Sequence, residues 1–293
     1  MLTAIVPVSG MAGRLHNLEN WLSTIQNLDI QVVIVHDYRD SETEKQLISI
    51  LKSLNSRKIE FLSGTYGSPG AARNVGLEHV ATKFVCFWDS DDLPYPQSIL
   101  SELERHSEDF DLYVGQYVRS SNLPADLNSI KTFDSSLQDI AMNPGLWRMV
   151  FARDFISDLR FKTMRMGEDQ LFIAEVVSLK PRISFTNRLF YNYFVGHPGQ
   201  LTRSQDAIIE LVYAFREIST LRKETSGKEF EFNSIMISKM SFTLMKFAFS
   251  NNVKLVVIKS LLTADNLFTR HPLLQLKSAL KVIFRIFKVV RHA

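Results

Sequence analysis

The sequence predicts an α/β fold: a mostly parallel sheet flanked by helices, followed by a helical C-terminal region. Three observations carry this. Strand-like and helix-like segments alternate over about the first 90 residues. The strand-like segments are continuous apolar runs, as expected where helices cover both faces of a sheet. From about residue 205 onward, Gly and Pro are few and apolar residues recur at three- and four-residue spacing. The division is therefore drawn as 1–204 for the sheet domain and 205–293 for the helical region.

The elements follow in order. LTAIVPV, residues 2–8, reads as a buried strand. Leu15, Leu18, Trp21, Leu22 and Ile25 then fall at helical spacing. IQVVIVHD is a second, β-branched strand, and a helix is expected across 41–54. KIEFL at 58–62 is a short strand. GTYGSPGAARNVGLEHV reads as a Gly/Pro loop entering a helix, and FVCFW is the next strand. Beyond 205, AIIELVYAFREISTL and FNSIMISKMSFTLMKFAF read as amphipathic helices packed on or beside the sheet.

Composition is that of an ordinary globular protein, 45% hydrophobic and 22% charged over 293 residues. The single cysteine, Cys86, excludes an intrachain disulfide and suits a reduced, cytoplasmic setting. The start, MLTAIVPVSG, lacks the features of a signal peptide, and no apolar stretch is long enough to predict a membrane-spanning helix. The net charge of +3 is unevenly spread. From Lys254 to the end, eight Lys/Arg face one acid, Asp265, so this segment carries +7 and the rest −4. A basic tail on a mildly acidic body predicts an anionic partner for the tail.

The chemistry concentrates where FVCFW runs into DSDD. Ligands of open parallel sheets sit beyond the carboxyl ends of the strands. Asp89 and Asp91 are two residues apart and share a face if the backbone is extended. Two carboxylates held together repel, and a hard cation with oxygen preference, Mn²⁺ or Mg²⁺, relieves this. A polar turn with Asp92 capping a helix is the plainer reading of the same residues. Arg73 and Asn74 sit between Gly70 and Gly76, and a fixed guanidinium there suits a phosphate or a carboxylate of the acidic motif. Glu168 and Asp169 follow Gly167 at the start of a helical pattern, where a simple capping role is the alternative.

The ordered series AIVPV, VVIVHD, SPGAARNVGLEHVATKFVCFWDSDD, PGLWRMVFARDFISDLRF…GEDQLF and LFYNYFVGHPGQLTRS resembles the inverting glycosyltransferases of family 2, with the GT-A fold, over roughly residues 2–205. The pattern departs at His36, where Asp is common, and at Tyr38-Arg39, while the acidic and Glu-Asp motifs are intact. The resemblance implies transfer of a sugar from a nucleotide-diphosphate donor, expected to be a UDP-sugar, to a glycan or lipid-linked acceptor of cell-surface polysaccharide synthesis. It implies donor contacts from Pro7, Asp37, Arg73, Asn74, Asp89, Ser90 and Arg203. Metal ligation falls to Asp91 and Asp89 with His197. Asp169 is implied as general base, with Glu168 positioning it, and Trp147 as an acceptor-stacking residue. Inversion needs one carboxylate to take the acceptor proton, unlike glycoside hydrolysis, which uses two.

Two other readings share this pattern. SGMAGRL imitates the phosphate loop of a sugar-1-phosphate nucleotidyltransferase, though with two glycines only, and a non-catalytic sugar-nucleotide-binding protein could use the same fold. The tail offers a further expectation. Wound as a helix, QLKSALKVIFRIFKVVR puts Leu276, Leu280, Ile283, Phe287 and Val290 on one side and Lys277, Lys281, Arg285, Lys288 and Arg291 on another. That pattern suits peripheral contact with an anionic membrane through residues 275–291, at the inner face of the plasma membrane, each basic residue contributing roughly 1 kcal/mol. Docking of this helix on the protein's own core is the alternative. No nucleic-acid recognition module is seen.

Overall fold

The computed structural model describes residues 1–106, 110–120, 136–195 and 205–250. Its centre is one eight-stranded sheet. The strands are β1 (Leu2–Val8), β2 (Ile30–Asp37), β3 (Ile59–Gly64), β4 (Phe84–Phe87), β5 (Leu93–Pro94), β6 (Leu112–Ser120), β7 (Met149–Ala152) and β8 (Ile183–Phe194). Their order across the sheet is β3-β2-β1-β4-β7-β6-β8-β5. The first four are mutually parallel, β7 runs antiparallel to both neighbours, β6 and β8 are parallel, and β5 is antiparallel to β8. The sheet is thus mostly parallel, as the apolar runs predict.

Helices cover both faces. On one lie α1 (His16–Thr24), α2 (Ser41–Leu54) and α4 (Pro96–His106), whose apolar residues join Ala4, Val6, Val32, Ile34 and Cys86 in one cluster. On the other lie α3 (Pro69–Glu78), α5 (Leu137–Met142), α6 (Glu168–Ser178), α7 (Gln205–Glu224) and α8 (Gly227–Ser250), clustered with Ile5, Val33, Val35, Val85 and Phe87. Successive residues of β1 and β2 therefore feed opposite layers, which explains why these strands carry no polar alternation.

Local signals account for the helix ends. Asp40 caps α2 by accepting from the Thr43 N–H at 2.6 Å, and Asn55 closes that helix in the left-handed region at φ 43°. Ser68 caps α3, accepting from the Ala71 N–H at 3.2 Å, and Pro69 occupies the first turn. Gly76 lets α3 lie flat on β1, since a Cβ there would come within 2.4 Å of the Ile5 Cγ2.

The change of composition at residue 205 coincides with the start of α7, but not with a gap between cores. Leu211, Phe215, Ile218, Phe232, Met236 and Met240 pack in the same cluster as α6 and the sheet. Among the described residues, no helix is long and apolar enough to cross a membrane. Residues 275–291 of the basic tail lie outside the described residues.

Candidate active site

A cleft of about 610 Å³ opens where β1, β2 and β4 end, roofed from the far side by α6, α7 and α8. Asp89, Ser90, Asp91, Glu168 and Asp169 all line it, so the two acidic motifs, about 80 residues apart in sequence, face one space.

The first motif is a turn rather than extended backbone. β4 ends at Phe87, and the Asp92 N–H reaches back to the Asp89 carbonyl at 3.4 Å. The expected sharing of a strand face by Asp89 and Asp91 is therefore replaced by a reversal of the chain, which still points both residues at the cleft. Asn17 of α1 pins this turn by donating to the Asp91 carbonyl at 2.8 Å. Asp92 caps no helix. It is fully buried and accepts from the Phe194 N–H at 2.7 Å, tying the turn to β8. The Tyr191 hydroxyl accepts from the Asp89 N–H at 2.9 Å and bonds the Asp92 carboxyl. Burial, then the charges of Asp89 and Asp91, push the Asp92 carboxyl well above the usual carboxylate range. The turn is a concentrated negative site.

Arg73 links the two motifs. One arm of its buried guanidinium meets Glu168 Oε1 at 2.8 Å and the other meets Asp89 Oδ1 at 3.0 Å. Of the two roles expected for it, phosphate or carboxylate, the geometry is that of a strut between carboxylates. Asn74 is not brought to the cleft. One residue further round α3, its amide gives to and takes from the Phe161 backbone, both at 2.8 Å, and the Arg73 guanidinium lies 5.5 Å above the Phe161 ring. Asn74 thus supports the strut from below.

The second motif opens α6. Gly167 precedes it at φ 91°, where a Cβ would also approach the Ala214 Cβ to 2.8 Å, so glycine is required on both counts. Glu168 is buried, and Asp169 accepts from the adjacent Gln170 N–H at 2.7 Å. Burial first, and then the charge of Glu168, raise the Asp169 carboxyl to about 7, while Arg73 pulls it the other way. A carboxyl poised there exchanges protons near neutral pH, as a general base requires.

The remaining expectations divide. Pro7 and Asp37 line the cleft at the ends of β1 and β2. The Asp37 carboxylate also holds the 66–67 turn, accepting from Tyr66 N–H at 2.7 Å and Gly67 N–H at 3.1 Å. Trp147 forms a wall of the cleft, stacked on Tyr191 at 4.8 Å and on Tyr193 at 5.4 Å. His197 and Arg203 lie outside the described residues. Three cleft arginines were not foreseen as contacts: Arg14, Arg39 and Arg165. Arg14 belongs to the SGMAGRL loop and bonds the Gly10 carbonyl, so its place after the first strand was the available signal. Arg165 is held by Glu210 of α7 at 2.7 Å, a contact across 45 positions with no local trace.

The profile of glycosyl transferase family 2 matches residues 5–167, more than half of the chain. The chain therefore belongs to glycosyl transferase family 2, and its fold is that of GT-A transferases. It is 22% identical over 223 residues to the glycosyltransferase GlyA of Streptococcus pneumoniae, covering 69% of this chain and 31% of that protein. It is 24% identical over 181 residues to the poly(ribitol-phosphate) beta-N-acetylglucosaminyltransferase TarS of Staphylococcus aureus, covering 59% and 31%. The chain thus spans about a third of the length of these curated relatives. Among solved structures, residues 1–349 of S. aureus TarS in complex with UDP-GlcNAc superpose with a TM-score of 0.68 at 19% identity, covering 90% of this chain and 79% of that one. The mannosyltransferase PcManGT of Pyrobaculum calidifontis, in complex with GDP-Man and Mn²⁺, gives 0.54 at 13% identity, covering 95% and 84%.

Proposed function

We propose that the protein is an inverting glycosyltransferase that moves a sugar from a UDP-sugar to a growing cell-surface glycan, with Asp169 as general base. The observation that carries this is the common cleft of Asp89, Asp91 and Asp169, with Arg73 bridging Asp89 to Glu168. The family, and the UDP-GlcNAc complex of a structural neighbour, support the donor class.

The donor set fits a divalent cation, Mn²⁺ or Mg²⁺. Asp89 and Asp91 offer hard oxygen ligands on one turn of the cleft, beside a buried Asp92 whose carboxyl is pushed up by burial first and then by their charges. Among the described residues no three His, Cys, Asp or Glu side chains cluster as a metal cage, which suits a cation completed by substrate oxygens. What such a cation supplies when bound is neutralisation of charge on the leaving diphosphate. In the proposed reaction, Asp169 takes the proton of the acceptor hydroxyl while that oxygen bonds the anomeric carbon. The bond from that carbon to the diphosphate oxygen breaks, and its electron pair leaves with the nucleotide. Glu168 keeps the Asp169 carboxyl basic and Arg73 fixes Glu168. Trp147 and Tyr193 provide the flat surface against which the acceptor lies. The basic tail, residues 275–291, is proposed as a peripheral contact with anionic membrane, on its charge pattern alone.

The test is a thermal-shift screen of UDP-, GDP- and CDP-sugars with Mn²⁺ present, since a ligand of the native state stabilises it. A UDP-sugar is expected to raise Tm, and Asp169→Asn to keep that shift while losing about 10³-fold in transfer. A variant with parental turnover removes Asp169 as base. A donor shift confined to nucleoside triphosphates, with pyrophosphate release, would make the protein a nucleotidyltransferase instead.

A further inference from the structure

Arg165 precedes Asp169 by four residues and lines the same cleft, with its side chain 37% exposed. It is fixed from behind. The Glu210 carboxylate of α7 accepts from the Arg165 main-chain N–H and from its Nε, the latter at 2.7 Å. The same stretch of α7 presses on Gly167, where a Cβ would come within 2.8 Å of the Ala214 Cβ and 3.1 Å of the Leu211 Cδ1. The segment 165–167 is thus moulded on α7. Glu210 engages only the Nε–H of the guanidinium, and the remaining N–H donors lie in the same plane at its tip. Among the described residues nothing bonds either terminal nitrogen.

The other cleft arginines are engaged differently. Arg73 joins Glu168 to Asp89, Arg14 bonds the Gly10 carbonyl, and Arg39 lies 3.9 Å from Asp37 at the end of β2. Arg14 and Arg39 belong to the strand-end wall, which in the transferase reading faces the nucleotide. Arg165 shares the opposite wall with Asp169, Leu211 and Thr243, where the two sugars meet as the acceptor oxygen approaches the anomeric carbon. Its charge is matched by Glu210, so it holds no surplus with which to draw an anion. What it offers is direction, because a planar fork suits two neighbouring oxygens. The rings of Trp147 and Tyr193 can hold the flat face of a sugar, but stacking does not read which way a hydroxyl points. A fixed donor pair does, since the wrong epimer leaves its N–H groups unpaired. The tether to Glu210 also removes side-chain freedom that binding would otherwise have to remove.

We propose that Arg165 is a specificity-determining residue that grips a pair of neighbouring hydroxyls on a sugar beside Asp169, and that Glu210 is the positioning residue that aims it. The sugar of the donor and that of the acceptor offer the same chemistry. The inference rests on the transferase reading for where the sugars lie, but the fork itself is tested by binding alone.

Two binding series on the full chain, with Mn²⁺ present, separate the sources. In the donor series UDP, UDP-glucose, UDP-galactose, UDP-GlcNAc and UDP-GalNAc are titrated by calorimetry. In the acceptor series labelled cellohexaose, mannohexaose and β-1,4-galactohexaose, neutral chains that differ in hydroxyl orientation, are followed by anisotropy with UDP present. The parent is expected to prefer one member of a series by at least about tenfold, and Arg165→Met to abolish that preference while UDP affinity stays unchanged. The series in which the preference disappears names the sugar that is read. Arg165→Lys keeps the charge without the fork and loses the preference too. Glu210→Ala keeps the fork without its tether and loses part of it. If Arg165→Met also loses UDP affinity, Arg165→Lys decides: preference lost with UDP retained supports the fork, and any other result overturns it. No preference by the parent in either series, an unchanged preference in Arg165→Met, or a full preference in Arg165→Lys or Glu210→Ala overturns the proposal. UDP-sugar binding whose preference is indifferent to Arg165, with no oligosaccharide preference, sinks the fork and leaves the transferase reading standing. No UDP binding by the parent, with an oligosaccharide preference that Arg165→Met abolishes, sinks the transferase reading and leaves the fork standing.

Discussion

The wall of the cleft at the ends of β1, β2 and β4 is assembled within the first 92 residues, whereas the opposite wall draws on Trp147, α6, β8, α7 and α8, spread from residue 146 to residue 243. The first wall uses devices that are local in sequence: a strand end, a capped helix, an acidic turn. The second uses side chains whose meaning depends on a fold already formed. Arg165 acquires its place from Glu210. Chemistry common to a family can be written in contiguous motifs. The surface that chooses a partner for that chemistry is written in scattered positions on packed helices.

The strut between the walls gives the largest effect. Arg73 is the one described side chain bonded to both acidic motifs, and removing it strands Glu168 and Asp89. Truncating one member of a buried pair costs about 3–5 kcal/mol, and water reaching Asp89 places this case near the lower end. Arg73→Ala is expected to lower the urea midpoint accordingly and to abolish donor stabilisation. Arg73→Lys recovers only part of it, because an ammonium cannot reach two carboxylates as a fork does. A loss under about 1 kcal/mol, typical of a surface pair, would mean the walls stand independently.

The next effect is a displacement rather than a loss. Asp169 accepts a proton only when ionised, and its carboxyl stands at about 7, so turnover should fall as pH drops through that value. The charge of Glu168 is one of the forces holding it there. In Glu168→Gln that repulsion is gone, while the attraction of Arg73 remains. The Asp169 carboxyl therefore moves down, and the acid limb of kcat against pH moves to lower pH. A limb that stays in place, or moves upward, would assign the titration to another group and detach Asp169 from the base role.

The same division governs what could be read in advance. The alternating elements and the helix across 41–54 follow from caps and apolar runs, and the structure has α2 at Ser41–Leu54. The end of β4 was visible as apolar residues meeting acids. Its reversal was not, because Asn17, Tyr191 and the Phe194 N–H that enforce it lie on α1 and β8. Arg73 and Asn74 look alike as neighbours in one motif, yet a helix turns them about 100° apart, and only Arg73 meets the acids. The helical pattern of α8 was legible, but that Thr243 is its residue in the cleft depends on how the helix packs against the rest of the fold.

The smallest effect on chemistry is expected from the basic tail. If residues 275–291 serve only as an anchor, they belong to neither wall, and deleting 275–293 should leave donor stabilisation and turnover of a water-soluble acceptor unchanged. What should change is partition onto vesicles. Five basic residues at roughly 1 kcal/mol each amount to an affinity large enough to lose on truncation and to be screened by salt. The informative measurement is co-sedimentation of the full and shortened chains with anionic and with neutral vesicles, at low and high ionic strength. Equal sedimentation of both chains would point to the helix docking on its own protein. Turnover that fell on truncation, with vesicles absent, would extend the second wall beyond α8 and place part of the acceptor surface in the tail.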